Sequence, residues 1–362
     1  IDSVFSAVRN QVVIVKNDQT QTYVPLYGIN NIGNLQVGEG YNTKMLSTQT
    51  INVCGSLLDP VSNPLSLPSG WSMMGYLRTT AAPISTMLSG ILGNVIIVKD
   101  DSSRTYIPSY GINNIVNMKP GEGYKIKLLV ASTLTYPANT AKAMPVVEKS
   151  INPAQYKGII YTGNTMTLIL PDNAWTSKPG LGDEIGVFST TDQLFGSAVY
   201  DGSNLAVSIM GDDATTSIKD GLLDGECFVI KHFDISTGNE SLINVDYWLE
   251  GNSCYGEDAV SIVGKLLSGA TGIENRPQIT INNYPNPFKE STSIVFSLKD
   301  AGHIYLSIFD ATGREVGRIA DGEYPSGTHM ILFHRRDLPS GLYFYELRMG
   351  NIRLQRYLVI IN

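Results

Sequence analysis

VVIVKNDQTQTYVPLYGINNIGNLQVGEGYNTKML, residues 12–46, returns 83 residues later as VIIVKDDSSRTYIPSYGINNIVNMKPGEGYKIKLL, residues 95–129, without a gap. From Ile1 opposite Ile84 to Leu46 opposite Leu129, 23 of the 46 positions are identical, so the chain opens with a duplicated structural unit. Both copies read in the same order. An apolar stretch at near-helical spacing (Ile84, Met87, Leu88, Ile91, Leu92) leads into a β-branched strand at Val95–Val98. A polar turn at Asp100–Ser103 precedes a second strand through Tyr106 and Ile107, which Pro108 ends. Gly-Ile-Asn-Asn then starts an irregular crossing. The Gly-Glu-Gly-Tyr step at 38–41 and 121–124 supplies turn glycines before a last strand alternating at Tyr124, Ile126 and Leu128.

Duplication also bears on Glu39 and Glu122. Read sharply, they are catalytic or ligand carboxylates; read plainly, each is a turn carboxylate between glycines. The plain reading is favoured, because repeated structural units keep their turn chemistry while reaction sites are seldom doubled. The second copy is preceded by LPSGWSMMGYLRTTAAP (67–83), an opening strand bearing Trp71 and Tyr76, and the first copy has no counterpart. The expectation is a first unit that lacks one strand, with a neighbour whose unpaired backbone attracts another. Sequence upstream of Ile1 or a strand from a neighbouring molecule would fill that gap.

Composition agrees with a β-rich, extracellular class. Only 16% of residues are charged, and Gly (35) and Tyr (19) are abundant, a mix that favours strands and turns. Residues 281–362 carry 9 Lys+Arg and 8 Asp+Glu, leaving 17 and 25 for the rest. The body is acidic without basic clusters, which argues against nucleic acid. No run of 18 apolar residues is present to span a bilayer as a helix. Residue 1 is Ile, which reads as a chain trimmed of its targeting segment.

Between about 147 and 270, short apolar runs recur between turns: Met166–Leu170, Glu184–Phe188, Ser197–Tyr200, Leu205–Ile209, Cys227–Lys231 and Asp246–Glu250. This spacing predicts a β-sandwich of about six to nine strands. Alternation at Leu205, Val207 and Ile209 predicts one buried face. In MGDDATTSIKDGLLDGE (210–226), Asp212, Asp213, Asp220, Asp224 and Glu226 form the one carboxylate cluster to weigh as a Ca²⁺ site. Its spacing is not that of a helix–loop–helix calcium loop, and the competing reading is a solvated acidic loop with Asp-Gly turns. Cys227 and Cys254 are the pair placed to form a disulfide in an oxidising compartment, while Cys54 has no suggestive histidine nearby in sequence. Trp175 and Trp248 are weighed as sugar-stacking platforms against core residues, and the core is favoured.

GDEIGVF (182–188), GSAVYDGSNLAVSIMGDD (196–213) and KDGLLDGE (219–226) resemble a β module common beside sorting domains in large secreted proteins of the Bacteroidota. The tail carries a more specific resemblance. NYPNPFKESTSIVFSL (283–298), HIYLSIFDATGREV (303–316) and YPSGTHMILFHRRDLPSGLYFYELRMGNIRLQRYLVIIN (324–362) alternate as strands between tight turns, predicting an antiparallel sandwich of about seven strands. Pro285-Asn286-Pro287-Phe288, the Asp310–Gly313 turn, Gly341 with Tyr343 and Phe344, and Arg356 in the final strand are similar to the C-terminal sorting domain of type IX secretion substrates. That resemblance implies an immunoglobulin-like sandwich read by an outer-membrane translocon after passage through the periplasm. It further implies removal by a surface sortase and a cargo at the cell surface or released outside it.

The reading is therefore an all-β, multidomain chain with minor short helices. Its parts are a truncated first repeat (1–66), a second repeat (67–146), a β-sandwich module (147–270), a linker (271–283) and the sorting domain (284–362). No catalytic motif is present, and His232, His303, His329 and His334 sit in no reactive pattern. The expected function is a non-enzymatic surface structural or adhesive protein, self-assembling by strand addition. The rival is the non-catalytic, glycan-binding part of a larger secreted hydrolase. No cofactor is expected beyond the candidate Ca²⁺.

Overall fold

A computed structural model describes residues 1–53, 55–139, 152–267, 279–284, 286, 288–298, 300–310, 312–350 and 352–361. The chain is all-β, with helix limited to short turns such as α1 (Asp2–Phe5). In the first repeat, β1 (Val12–Lys16), β2 (Thr22–Val24), β3 (Ile29–Asn30) and β4 (Asn42–Met45) form an antiparallel sheet in the order β3-β2-β1-β4.

The second repeat repeats this sheet and completes it. Its elements are β5 (Leu65–Leu67), β6 (Gly70–Gly75), β7 (Ala82–Pro83), α2 (Ile84–Met87), β8 (Val95–Lys99), β9 (Thr105–Ile107), β10 (Ile112–Asn113), β11 (Asn117–Met118), β12 (Gly123–Leu128) and β13 (Ser132–Leu134). The sheet order is β10-β9-β8-β12-β6, so the Trp71 strand lies along the outer edge of β12, in a register running from Gly123↔Gly75 to Leu128↔Gly70. The small ladders β7–β11 and β5–β13 close the other side. Because β5 pairs with β13 and buries Leu65 and Leu67 in the second core, the second repeat begins before residue 67.

The middle strands are β14 (Thr165–Leu170), β15 (Glu184–Ser189), β16 (Leu194–Val199), β17 (Leu205–Met210), β18 (Phe228–Asp234), β19 (Asn239–Glu250) and β20 (Val260–Leu267). Their order is β16-β15-β18-β19-β20-β14-β17, with β14 and β20 parallel and the other neighbours antiparallel. The long β19 turns the corner. Its first part pairs with β18, and its second part pairs with β20 through three register shifts, bulges that bend a strand. The two ends of the order meet where Gly196 of β16 lies against Ser208 and Ile209 of β17. A Cβ there would stand 2.6 Å from the Ser208 carbonyl oxygen. Sequence reading predicts no strand at 260–267, VSIVGKLL, where Gly264 and Lys265 interrupt the apolar pattern.

The expectation of one buried face for Leu205, Val207 and Ile209 is corrected: Ala206 and Met210 are buried as well. Ala206, Ile169, Val260 and Ile262 pack against Ile97, Ile107 and Ile112 of the second repeat, so the sandwich is covered on that side. A pattern of one strand cannot show that a neighbouring domain sits on its second face.

The tail forms β21 (Ile279–Tyr284), β22 (Ser291–Leu298), β23 (Gly302–Asp310), β24 (Glu315–Tyr324), β25 (Gly327–His334), β26 (Gly341–Met349) and β27 (Ile352–Ile360). One sheet is β21-β22-β25 and the other β24-β23-β26-β27; Phe296, Ile304, Leu306, Tyr345, Leu347 and Leu358 fill the space between them. β21 begins inside the stretch read as a linker. Ile281 is buried in this core, so the domain starts by residue 279.

Candidate functional site

The tail motif residues form a joint. The Asn286 side chain accepts the Val359 amide at 2.7 Å and donates to the Tyr357 carbonyl at 3.1 Å. Phe288 donates its amide to the Val359 carbonyl and accepts the Ile361 amide, while its ring is buried edge-on to Phe333. The Asn-Pro-Phe step and the last strand, some 70 residues apart in sequence, thus lock together across the two sheets. Pro285 and Pro287 lie outside the described residues.

At the Asp310–Gly313 turn, the Thr312 hydroxyl, the Arg314 side chain and the backbone amides of both residues hold the Asp310 carboxyl down to about 2. Gly313 takes φ +85°, the left-handed region glycine occupies at no steric cost. Asp310 and Phe309 stand opposite Tyr343 and Phe344. The buried Tyr343 donates its hydroxyl to the Pro339 carbonyl at 2.9 Å. Gly341 starts β26 opposite Ile360, and the half-buried Arg356 on β27 donates to the Gln355 and Asp246 carbonyls. Each of these motif residues therefore has a partner within the fold.

The acidic loop is used differently from a calcium site. Asp212 accepts the Asp220 amide, Asp220 accepts the Asp213 amide and the Thr216 hydroxyl, and Glu226 pairs with Lys219 and the Leu223 amide. Asp213 binds Lys44 of the first repeat together with Thr215. The structure brings Asp212, Asp213 and Asp220 together but occupies their oxygens with protein donors. Asp224 is exposed in the turn that follows, which the Glu226 amide closes on the Leu223 carbonyl. Among the described residues no group of three or more His, Cys, Asp or Glu side chains is arranged to hold a metal ion. Cys227 and Cys254 are joined in a disulfide; Cys54 lies outside the described residues.

Both Gly-Glu-Gly-Tyr steps use their carboxylate in the same way. Tyr124 donates to Glu122 and accepts the Lys119 amide; Tyr41 donates to Glu39 and accepts the Gln36 amide. Burial together with Glu39 pushes the Tyr41 hydroxyl up to about 12. A carboxylate tied to its own turn tyrosine holds the turn. Trp175 and Trp248 pack against the sandwich core, so neither offers a free stacking face there.

The two repeats part company at β4 and its counterpart β12. Along β12, β6 fills the outer edge and brings Trp71, whose ring lies 5.3, 5.6 and 5.8 Å from the ammonium groups of Lys99, Lys125 and Lys127. Trp71 also donates to the Asp258 carbonyl, and Lys99 to the Thr165 carbonyl and hydroxyl, which ties the second repeat to the sandwich. Along β4 no strand pairs on the side away from β1, among the described residues. Leu46 donates its amide to the Gln11 carbonyl, and alternate amides of a strand point the same way. Those of Thr43 and Met45 therefore point outward, and Thr43 is exposed where its counterpart Ile126 is fully buried.

Sequence reading missed one partner of the first repeat. Gly40 donates to the Met73 carbonyl, Gly38 accepts the Gly75 amide and Asp18 accepts the Met73 amide. β6 thus bonds to the first repeat as well as to β12, but it arrives beside the β1–β2 turn and leaves the outer edge of β4 uncovered.

Residues 282–361 match the family described as the secretion system C-terminal sorting domain. No curated protein matches the chain. Among solved structures, the BSP domain of a biofilm-associated protein is similar at 10% identity and a TM-score of 0.21, over 50% of this chain and 25% of that one. Dimeric latent PorU from Porphyromonas gingivalis is similar at 10% identity and a TM-score of 0.23, over 68% of this chain and 26% of that one. The chain spans about a quarter of the length of each.

Proposed function

We propose, for a chain that carries a type IX C-terminal sorting domain and is therefore a secreted, cell-surface protein, a non-enzymatic structural or adhesive role exercised through its first repeat. The tail addresses the chain to the secretion machinery, with the outer-membrane translocon and the surface sortase as the components that read and remove it. What remains outside the cell is a body of packed β units. Its most reactive-looking carboxylates, Glu39, Glu122, Asp213 and Asp220, are bonded to protein donors.

The observation that carries the role is the bare edge of β4. An exposed strand edge with outward amides is a template for another strand, and natural proteins cover or blunt such edges unless they use them. Pairing there by a strand of another molecule joins this chain to a neighbouring polypeptide, and self-assembly is the case in which the neighbour is another copy.

Sedimentation velocity on protein collected from the cell surface tests this. Wild-type material is expected to include species larger than the monomer. Thr43→Pro, which removes one outward amide, is expected to shift the profile to monomer. Native material that sediments solely as monomer overturns the role.

A further inference from the structure

The chain contains its own template for the strand that belongs on β4. Residues 1–46 and 84–129 superpose position for position in sequence, so each contact that β6 makes with β12 names a position on β4. In the second repeat, Ser72 stands opposite Ile126, Trp71 opposite Lys127 and Gly70 opposite Leu128. The corresponding residues of the first repeat are Thr43, Lys44 and Met45.

The aromatic seat is retained too. Of the three lysines around Trp71, Lys99 and Lys127 have counterparts in Lys16 and Lys44, while Lys125 is replaced by Asn42. Lys16 is exposed. Lys44 is held in place by Asp213, as Lys125 is held beside Trp71 by Asp258. Two cations stand over the outer face of the first sheet where an incoming indole would lie, an arrangement that favours an electron-rich ring over a simple apolar side chain.

Resting on the strand-addition reading, we infer that β4 accepts a Gly-Trp-led strand of the β6 type, antiparallel, with its tryptophan between Lys16 and Lys44. The donor is a strand of this type other than β6 itself. β6 of this chain is already bonded along β12 on one edge and to Gly38, Gly40 and Asp18 on the other. A second copy would have to break its own second repeat to donate it.

The test uses the full chain and a fluorescein-labelled peptide of residues 67–77 (LPSGWSMMGYL), read by fluorescence anisotropy. Saturable one-to-one binding is expected, abolished by Thr43→Pro in the protein. Trp71→Ala in the peptide is expected to weaken it about tenfold, roughly the worth of a desolvated cation–π contact. Should Thr43→Pro fail to fold, Lys16→Gln on the exposed rim is expected to weaken binding about threefold, with the wild-type circular dichroism spectrum. Binding indifferent to both Thr43→Pro and Lys16→Gln overturns the inference. Failure of the peptide to bind, while native protein still forms larger species sensitive to Thr43→Pro, overturns the identity of the strand and leaves strand addition standing. No peptide binding and a purely monomeric native protein overturn both.

Discussion

The first and second repeats share half their residues and the same sheet order, yet one has a closed core and the other does not. Among the described residues, six buried side chains form the first core (Ile1, Phe5, Val8, Val12, Val15 and Tyr23), against nineteen in the second. The surplus includes Leu65, Leu67, Met74, Tyr76, Leu134 and Tyr136, contributed by flanking elements outside the duplicated segment. Each such side chain adds about 1.5–3 kcal/mol when fully buried. The lesson is that the duplicated sequence specifies a sheet, while the strands around it decide whether that sheet becomes a finished domain or an attachment surface. The comparison also extends outward. The second repeat is fused to the sandwich through Ile97, Ile107 and Ile112. On the corresponding face of the first repeat Ile29 is exposed, with Leu26 and Tyr27 beside it.

If fusion with the sandwich stabilises the second repeat, opening the sandwich should loosen that repeat and spare the first. The disulfide Cys227–Cys254 spans 27 residues of sequence, and removing such a link costs about 3 kcal/mol. Cys227→Ser with Cys254→Ser is therefore expected to speed hydrogen exchange at Ile97 and Val98 but not at Val15 and Val12. Equal acceleration in both repeats would mean that the body unfolds as one unit and that the contrast is confined to the surface. A somewhat smaller effect is expected from copying the first repeat into the second. Ile126→Thr places a hydroxyl in a fully buried apolar site and should cost about 2–3 kcal/mol in urea denaturation followed by tryptophan fluorescence.

Much of this was legible beforehand, and the reasons for the rest are physical. The all-β class, the repeat and the tail follow from strand alternation, turn residues and an ungapped duplication, which are local signals. The unpaired outer edge of β4, among the described residues, could be read because 67–83 has no second copy within residues 1–362. β20 was not legible, because its first half, Val260–Val263, is buried on both faces and shows no alternation, and Gly264-Lys265 breaks the run. The bond from Gly40 to Met73 was not either, since glycines that admit a close backbone approach look like ordinary turn glycines. At Gly40 a Cβ would stand 3.0 Å from the Met74 carbonyl oxygen, and only the fold shows that. In the acidic loop, five carboxylates in 17 residues are weighed as a cation site against a solvated loop; the donors that occupy four of them include Lys44, whose distance in sequence hides it from a local reading.

Equivalent lysines sharpen the comparison by charge. Burial at the interface with the sandwich holds the Lys99 ammonium down to about 7, with Asp258 opposing the shift; Lys16, its counterpart, is exposed. Between about pH 7 and the ordinary lysine value the unfolded chain binds the proton and the folded chain does not. Stability must therefore rise with pH in that window. The rise is expected to be about 1 kcal/mol between pH 7.5 and 8.5, below the limit of about 1.4 kcal/mol per unit. Lys99→Met should flatten that slope and Lys16→Met should leave it as it is, both read from urea midpoints across the pH series. A slope that survives Lys99→Met would place the titrating group elsewhere.

The smallest effect is the most telling about what the first repeat is for. Thr43→Ile gives β4 the residue that β12 carries at Ile126, and both side chains are β-branched, so strand preference is unchanged. In the second repeat that isoleucine is enclosed by the flanking strands. In the first, Thr43 is exposed and a methyl-rich side chain would remain in water. Stability should change by no more than about 0.5 kcal/mol, the range of ordinary surface substitutions. Were Thr43→Ile to stabilise the isolated chain by about 2 kcal/mol or more, the scale of a buried aliphatic side chain, the first core would already be closed in solution. The edge of β4 would then not be the place where another strand is added.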